Sequence, residues 1–167
     1  MRILVAGVGN LLQGDDGFGV EVAHRLQALS LPPEVTVVET GTGGIHLVQE
    51  ITAGFDALIV IDAVDRGRPP GTVMVIDPEI DSADGMTQME RFDYLADMHY
   101  TKPAKALMLA RALNVLPERS VLVGCQPRYM DRLVKGLSEP VAAAVDTAVA
   151  EIEALIADML SGNGSGG

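Results

Sequence analysis

The stretch that decides the fold is residues 3–20, which read ILVAGVGNLLQGDDGFGV. Its first six residues are almost continuously apolar, which is typical of a β-strand buried on both faces of a parallel sheet. A loop from Gly9 to Gly14 follows, and a helix is predicted to begin near Asp16. This strand, loop and helix order is typical of an α/β fold, with the loop at the carboxyl end of the first strand.

Outward from this stretch, strands and helices alternate along the chain. Apolar runs predict further strands over residues 35–39, 57–63, 72–76 and 121–125. Residues 65–71 are too few for a crossover helix, so strands 57–63 and 72–76 are expected to be antiparallel neighbours. We therefore predict a three-layer α/β/α sandwich on a mostly parallel, twisted sheet of about five strands, one of them antiparallel.

Apolar residues at helical spacing predict the inner faces of the helices. These residues are Phe18, Val22, Leu26 and Leu29, then Ile45, Val48 and Ile51, then Leu107, Met108, Ala112 and Val115, and finally Val141, Val145, Ala148, Ile152, Leu155 and Met159. Residues 78–98 are acidic and weakly patterned, and are interpreted as a long surface loop that has room for one helical turn and is mobile without substrate. We expect residues 1–160 to form a single domain and residues 161–167 to be a flexible glycine-rich tail.

Composition argues against several kinds of partner. The 167-residue chain has a formal net charge of −11 and a pI near 4.5, so it should repel phosphate backbones and not bind nucleic acid. No stretch is long and apolar enough to span a bilayer, so membrane insertion is not expected. The single cysteine, Cys125, excludes a disulfide within the chain and agrees with a cytoplasmic location. We expect a monomer.

A dinucleotide-binding site is the first alternative that the glycine-rich loop suggests. Gly7 and Gly9 follow a strand, and Glu39 ends the next one. However, Leu12 stands where the third glycine of that fingerprint should be. Asp15 and Asp16 would also repel a pyrophosphate at the N-terminus of the helix. A nucleotide-binding α/β domain is therefore disfavoured.

A carboxylate cluster is the interpretation that the strand ends favour. In an open α/β sheet, ligands bind outside the carboxyl ends of the strands. One aspartate would suffice to cap the first helix, but Asp15 and Asp16 occur together and Asp62 ends the third strand. Such a cluster suits a divalent metal ion with an additional imidazole ligand.

Three histidines could supply that imidazole. His24 lies within the first predicted helix and is interpreted as a surface residue. His46 and His99 can both reach the strand ends, and the residues alone favour His99 only slightly. No serine elbow is present, and Cys125 lies in an apolar strand where an inert thiol is expected. Hydrolysis would therefore need carboxylates or a metal-bound water.

The chain resembles the hydrogenase maturation endopeptidases over roughly residues 1–160. The resemblance lies in motifs that occur in matching order. These are the opening MRILVAGVGN, the DDGFGV that starts at Asp15, the Gly41-Thr42-Gly43-Gly44 turn, the IVIDA strand at 59–63, the Met98-His99 step and the LVGCQP strand at 122–127. The opening motif is specific, whereas the glycine turns are not.

The resemblance implies an endopeptidase that removes the C-terminal extension of a [NiFe]-hydrogenase large-subunit precursor once nickel has been inserted. It implies that Asp16, Asp62 and His99 bind the nickel and are the catalytic residues, although many family members carry Glu at the position of Asp16. The precursor would bring the nickel on its own thiolates, so no permanently bound cofactor is expected. Residues expected to contact the substrate are Gly9, Asn10, Asp15, Glu39, Gly41, Thr42 and Gly43. A module that binds a metal or peptide without cleaving it is the remaining alternative.

Overall fold

The structure is a computed structural model, and it describes residues 1–42, 44–78, 80, 85–90, 93, 103–130 and 132–162. The elements, in chain order, are β1 (Ile3–Val8), a 3-10 helix (Gly14–Gly17), α1 (Phe18–Gln27), β2 (Val35–Gly41), α2 (Gly44–Ile51), β3 (Ala57–Ala63), β4 (Val73–Ile76), α3 (Pro103–Ala112), β5 (Arg119–Cys125) and α4 (Glu139–Leu160). Within this described part, no helix is both long and apolar enough to cross a lipid bilayer.

The described strands form one sheet in the order β2-β1-β3-β5-β4. The first four strands in this order are parallel to one another, and β4 runs antiparallel to β5. The predicted fold class, a mostly parallel sheet of five strands with one antiparallel strand, is confirmed. The carboxyl ends of β1, β2, β3 and β5 consequently meet at one edge of the sheet.

The predicted pairing of strands 57–63 and 72–76 is wrong. Among the described strands, β5 lies between β3 and β4, and β4 is at the edge of the sheet and pairs with β5 alone. The connection after β3 crosses the end of β5 and bonds to it on the way. The N–H of Val64 donates to the carbonyl of Cys125, and the N–H of Gln126 donates to the carbonyl of Thr72, both at 2.9 Å. These bonds hold a short connection across one intervening strand.

Alternation along the strands divides the apolar core between the two faces of the sheet. Ile3 and Val5 of β1 face one cluster, and Leu4 and Ala6 face the other. Helices α1 and α4 pack together on the first face, and α2 and α3 pack together on the second. The chain is therefore the three-layer sandwich that the alternation of strands and helices predicts.

Most predicted inner-face residues of the helices are buried or half-buried, and the exposed ones lie near helix ends. Leu29 follows the end of α1 and is 40% exposed, and Ile45, in the first turn of α2, is 47% exposed. Ala112, the last residue of α3, is also exposed. Residues 88–90 are helical and exposed, but the loop predicted at 78–98 lies mostly outside the described residues, as do residues 163–167 of the predicted tail.

Candidate active site

Two glycines allow the N-terminal end of α1 to approach the sheet closely. A Cβ added at Gly19 would lie 2.3 Å from two carbonyl oxygens at the ends of β1 and β3. Gly9 has a φ of +144°, and a Cβ there would lie 1.9 Å from the carbonyl oxygen of Asp16. This close approach explains why Asp16, just before α1, lies beside the end of β3, where Asp62 is found.

Asp16 and Asp62 line one pocket of about 380 Å³, which we call the aspartate pocket. Each residue is only 8% exposed. The pocket opens between the carboxyl end of β3 and the first turns of α3, and its other lining residues include Pro103, Leu107 and Met130. The structure thus brings together two of the three predicted metal ligands at the sheet edge where ligands were expected.

The two carboxyl groups of the aspartate pocket are poorly stabilised as anions. Burial, followed by the negative charge of Asp16, raises the pKa of Asp62 well above its ordinary value, against one lowering hydrogen bond from the N–H of Ala63. Burial also raises the pKa of Asp16, although the N–H of Asn10 donates to its carboxylate at 3.0 Å. A bound cation would relieve both the burial cost and the mutual repulsion.

Asp15, by contrast, has a carboxylate that the protein itself satisfies. It accepts hydrogen bonds from the backbone N–H groups of Arg128 at 2.7 Å, Tyr129 at 3.0 Å and Ser138 at 2.7 Å, and from the Ser138 hydroxyl at 2.8 Å. Burial raises the pKa of Asp15, but these bonds outweigh it and the pKa is lowered overall. Asp15 therefore joins the loop after β5 to the start of α4. Its predicted contact with substrate stays a prediction.

Gln126 is a residue of the site's surroundings that the sequence reasoning did not single out. Its side-chain oxygen accepts the N–H groups of Arg66 at 2.7 Å and Arg68 at 3.2 Å, and its amide donates to Asp65 at 2.9 Å. It thereby fixes the loop after β3, which forms one wall of the aspartate pocket. A polar residue directly after an apolar strand, at the carboxyl edge of the sheet, was the available signal.

Five of the predicted substrate-binding residues lie together at the ends of β1 and β2. The residues that line this second pocket, of about 370 Å³, include Gly9, Asn10, Glu39, Gly41 and Thr42. A third pocket, of about 470 Å³, continues past Glu39, Gly41 and Thr42 to His46 and Glu50. We call these two pockets together the strand-end groove. Gly43, the remaining predicted contact in this turn, lies outside the described residues.

The two histidines that the structure describes, His24 and His46, do not line the aspartate pocket. His24 is exposed, as predicted, and forms an ion pair with Glu39 when protonated. His46 lines the strand-end groove rather than the aspartate pocket. His99, the predicted third ligand, lies outside the described residues. Among the residues that the structure does describe, no group of three or more His, Cys, Asp or Glu could hold a metal ion.

Cys125 is unsuited to act as a nucleophile. It is completely buried, and burial together with the charge of Asp15 raises the pKa of its thiol to about 11. The thiolate is the reactive form of cysteine, so a buried thiol with this raised pKa is expected to be unreactive at neutral pH. The expectation that Cys125 lies in the apolar core is confirmed, and its inertness stays a prediction.

Comparison with known sequences connects this chain to a known family. The family model for hydrogenase maturation proteases matches residues 20–155. The hydrogenase expression/formation protein HupD of Rhizobium leguminosarum bv. viciae is 38% identical over 154 residues, which cover 89% of this chain and 72% of that protein.

Comparison with solved structures agrees with the sequence match. The hydrogenase maturating endopeptidase HybD of E. coli is 30% identical with a TM-score of 0.74, and the match covers 97% of this chain and 94% of HybD. The [NiFe] hydrogenase maturation protease HycI of Thermococcus kodakarensis is 26% identical with a TM-score of 0.70, and the match covers 91% of this chain and 90% of HycI.

Proposed function

This chain belongs to the hydrogenase maturation protease family and is a peptidase, and we propose that it removes the C-terminal extension of a [NiFe]-hydrogenase large-subunit precursor after nickel insertion. The observation that carries the proposal is the aspartate pocket. Asp16 and Asp62 place two buried carboxyl groups close together at the ligand-binding edge of the sheet, and each has a raised pKa. Such a pair favours a cation as its partner.

The donor chemistry of the aspartate pocket fits the nickel of a precursor. Asp16 and Asp62 would supply two oxygen ligands, and His99 is the third ligand that the family resemblance implies. Two carboxylates without a closed set of further ligands should bind free metal weakly. The nickel would therefore arrive already held by thiolates of the precursor, and this chain would add its own ligands to it. When bound, the nickel would supply a positive charge that fixes the nearby peptide in register.

The chain's own residues would position the polypeptide. The strand-end groove lies at the same edge of the sheet as the aspartate pocket. Gly9 lines the groove, and the backbone carbonyl of Asp16 lies directly against Gly9. An extended segment of the precursor in the groove could approach the backbone closely at Gly9 and Gly41, since neither has a side chain in the way. Asp62, with its raised pKa, would release its proton when a cation enters the pocket.

The test is to follow the mass of the large subunit after incubation with this protein. Nickel-loaded precursor should lose its extension, and nickel-free precursor should remain intact. Asp16→Asn and Asp62→Asn keep the side-chain size but remove a charged ligand, so each should slow processing by about 100-fold or more. Glu153→Gln, an exposed charge removal on α4, is the matched control and should process normally.

Two results would contradict the proposal. Equal cleavage of nickel-loaded and nickel-free precursor would show that nickel does not license the reaction. Full activity in both the Asp16→Asn and the Asp62→Asn variants would show that the aspartate pocket is not the active site.

A further inference from the structure

A small basic surface lies next to the aspartate pocket in an otherwise acidic protein. It is formed by residues 128–130 and 132–136, which we call the basic loop. The sequence from Arg128 to Gly136 carries three cations, Arg128, Arg132 and Lys135, against one acidic residue, whereas the whole chain has a net charge of −11. A quarter of the 12 lysines and arginines therefore occur within nine residues.

The basic loop also exposes apolar side chains. Leu133 is 87% exposed, Val134 is 52% exposed and Tyr129 is 42% exposed. The guanidinium groups of Arg132 and Arg128 lie 4.2 Å and 5.7 Å from the centroid of the Tyr129 ring. Single exposed apolar residues need no explanation, but several of them among cations are typical of a binding surface.

Hydrogen bonds anchor the basic loop to the residues just before α1, next to the aspartate pocket. The N–H of Gly14 donates to the carbonyl of Val134 at 2.8 Å, and the N–H of Asp15 donates to the carbonyl of Tyr129 at 3.0 Å. The carboxylate of Asp15 holds the loop from the other side, through Arg128 and Tyr129. Met130, in the middle of the loop, lines the aspartate pocket. The exposed side chains are therefore presented at the edge of the active site in a defined position.

Among the described residues, the three cations have no carboxylate partner, unlike Arg25 and Arg119, which pair with acidic residues on α4 at 2.7 Å. Resting on the proposed function, we propose that the basic loop docks an acidic segment of the precursor that also carries an apolar side chain. The cations would face the acidic residues of that segment, and Leu133 would contact its apolar residue. Because the basic loop lies at the edge of the aspartate pocket, it would hold such a segment close to the scissile bond.

A membrane is the less suitable partner for this surface. Recognition of anionic lipid by charge uses clusters of about four to eight lysines or arginines, and the basic loop has three. The negative charge of the rest of the chain would also oppose approach to an anionic bilayer. A polypeptide segment contacts the loop alone and so avoids that repulsion.

The experiment measures both processing kinetics and binding of nickel-loaded precursor. The charge variant is Arg132→Gln with Lys135→Gln, and the apolar variant is Leu133→Ser. Each should raise KM and the dissociation constant of the precursor about tenfold, with kcat changed less than twofold. Added salt should weaken binding by the wild type more than binding by the charge variant, because exposed charges are screened.

Matched controls remove the same chemistry elsewhere. Arg25→Gln with Arg119→Gln removes two exposed or partly exposed cations from other elements, and Leu113→Ser removes an apolar side chain that is 53% exposed after α3. Both controls should leave KM unchanged. Thermal unfolding of every variant excludes a folding defect as the cause.

The outcomes separate the docking proposal from the proposed function. If the wild type processes precursor and the loop variants match the controls, docking is wrong and the function stands. If the wild type binds precursor without cleaving it, and the loop variants bind about tenfold more weakly, docking stands and the function is wrong. Absence of wild-type binding overturns both. Loop-dependent binding to anionic vesicles, or loop-dependent dimerisation, with no effect of the variants on precursor binding would also overturn the docking proposal.

Discussion

The two consecutive aspartates, Asp15 and Asp16, belong to regions of opposite electrostatic character. Around Asp15, four hydrogen bonds from the loop after β5 and the start of α4 satisfy the carboxylate and lower its pKa. In the aspartate pocket, Asp16 and Asp62 are buried with fewer such bonds, and both have raised pKa values. The protein thus satisfies one carboxylate with its own donors and leaves the pair beside it poorly stabilised as anions.

Removal of the Asp15 carboxylate should cause the largest loss of stability. Asp15→Ala leaves three backbone N–H groups and one hydroxyl without their acceptor, and removes a negative charge from the N-terminus of α4. We expect the free energy of unfolding to fall by about 3 kcal/mol or more. Urea denaturation followed by circular dichroism measures this change.

Asp65→Ala is the control for that measurement. Asp65 also accepts hydrogen bonds, from Gln126 and Gly67, but it is exposed. Because water can replace it as an acceptor, its loss should lower the free energy of unfolding much less than the loss of Asp15 does. Equal effects of the two substitutions would show that Asp15 does not hold the loop and α4 together in the way that its hydrogen bonds indicate.

Substitutions in the aspartate pocket should raise the free energy of unfolding of the metal-free protein rather than lower it. Asp62→Asn removes a buried charge and its repulsion with Asp16, so the free energy of unfolding without metal should rise by about 1 kcal/mol, while processing should slow by about 100-fold or more. Asp16→Asn should raise it less, because the pKa of Asp16 is raised to a smaller extent. Calorimetry without metal gives the ranking, and Glu153→Gln should leave the free energy of unfolding unchanged. A destabilised Asp62→Asn variant would mean that the carboxylate has stabilising contacts beyond those seen.

Local sequence patterns predicted the layers of the fold better than they predicted the neighbours of each strand. Apolar runs and helical periodicity are properties of single segments, and they identified β1, β3 and α4 well. The position of β4 depends instead on bonds between distant segments, such as Val64 to Cys125. Periodicity contains no information on these bonds, so the shortness of the loop led to the wrong neighbour.

The candidate site was likewise predictable only in part from local sequence. Asp16 and Asp62 were predictable because carboxylates at strand ends meet at one edge of a parallel sheet. The separate role of Asp15 was not predictable, because its partners Arg128, Tyr129 and Ser138 lie more than 110 residues further along the chain. Identical neighbouring side chains differ only in which donors reach them, and only the folded arrangement determines that.

The last and smallest effect is the dependence of the free energy of unfolding on pH. The contributions of Asp15 and Asp62 should lie on opposite sides of the ordinary aspartate pKa of 3.8. Asp15 has a lowered pKa in the folded state, so its contribution is present above 3.8 and is lost as the pH falls through the folded value. Asp62 has a raised pKa, so the unfolded chain releases this proton first as the pH rises. The stability of the metal-free protein should therefore decrease as the pH rises from 3.8 through the folded pKa of Asp62. Comparing wild type with Asp62→Asn by urea denaturation over this range isolates the contribution of Asp62. The variant should lose the larger part of that decrease, retain the smaller part that comes from the raised pKa of Asp16, and keep the Asp15 effect on the acid side. Parallel curves for the two proteins above pH 3.8 would show that Asp62 is not an electrostatically strained carboxyl group, and the contrast between the two regions would then rest on hydrogen bonding alone.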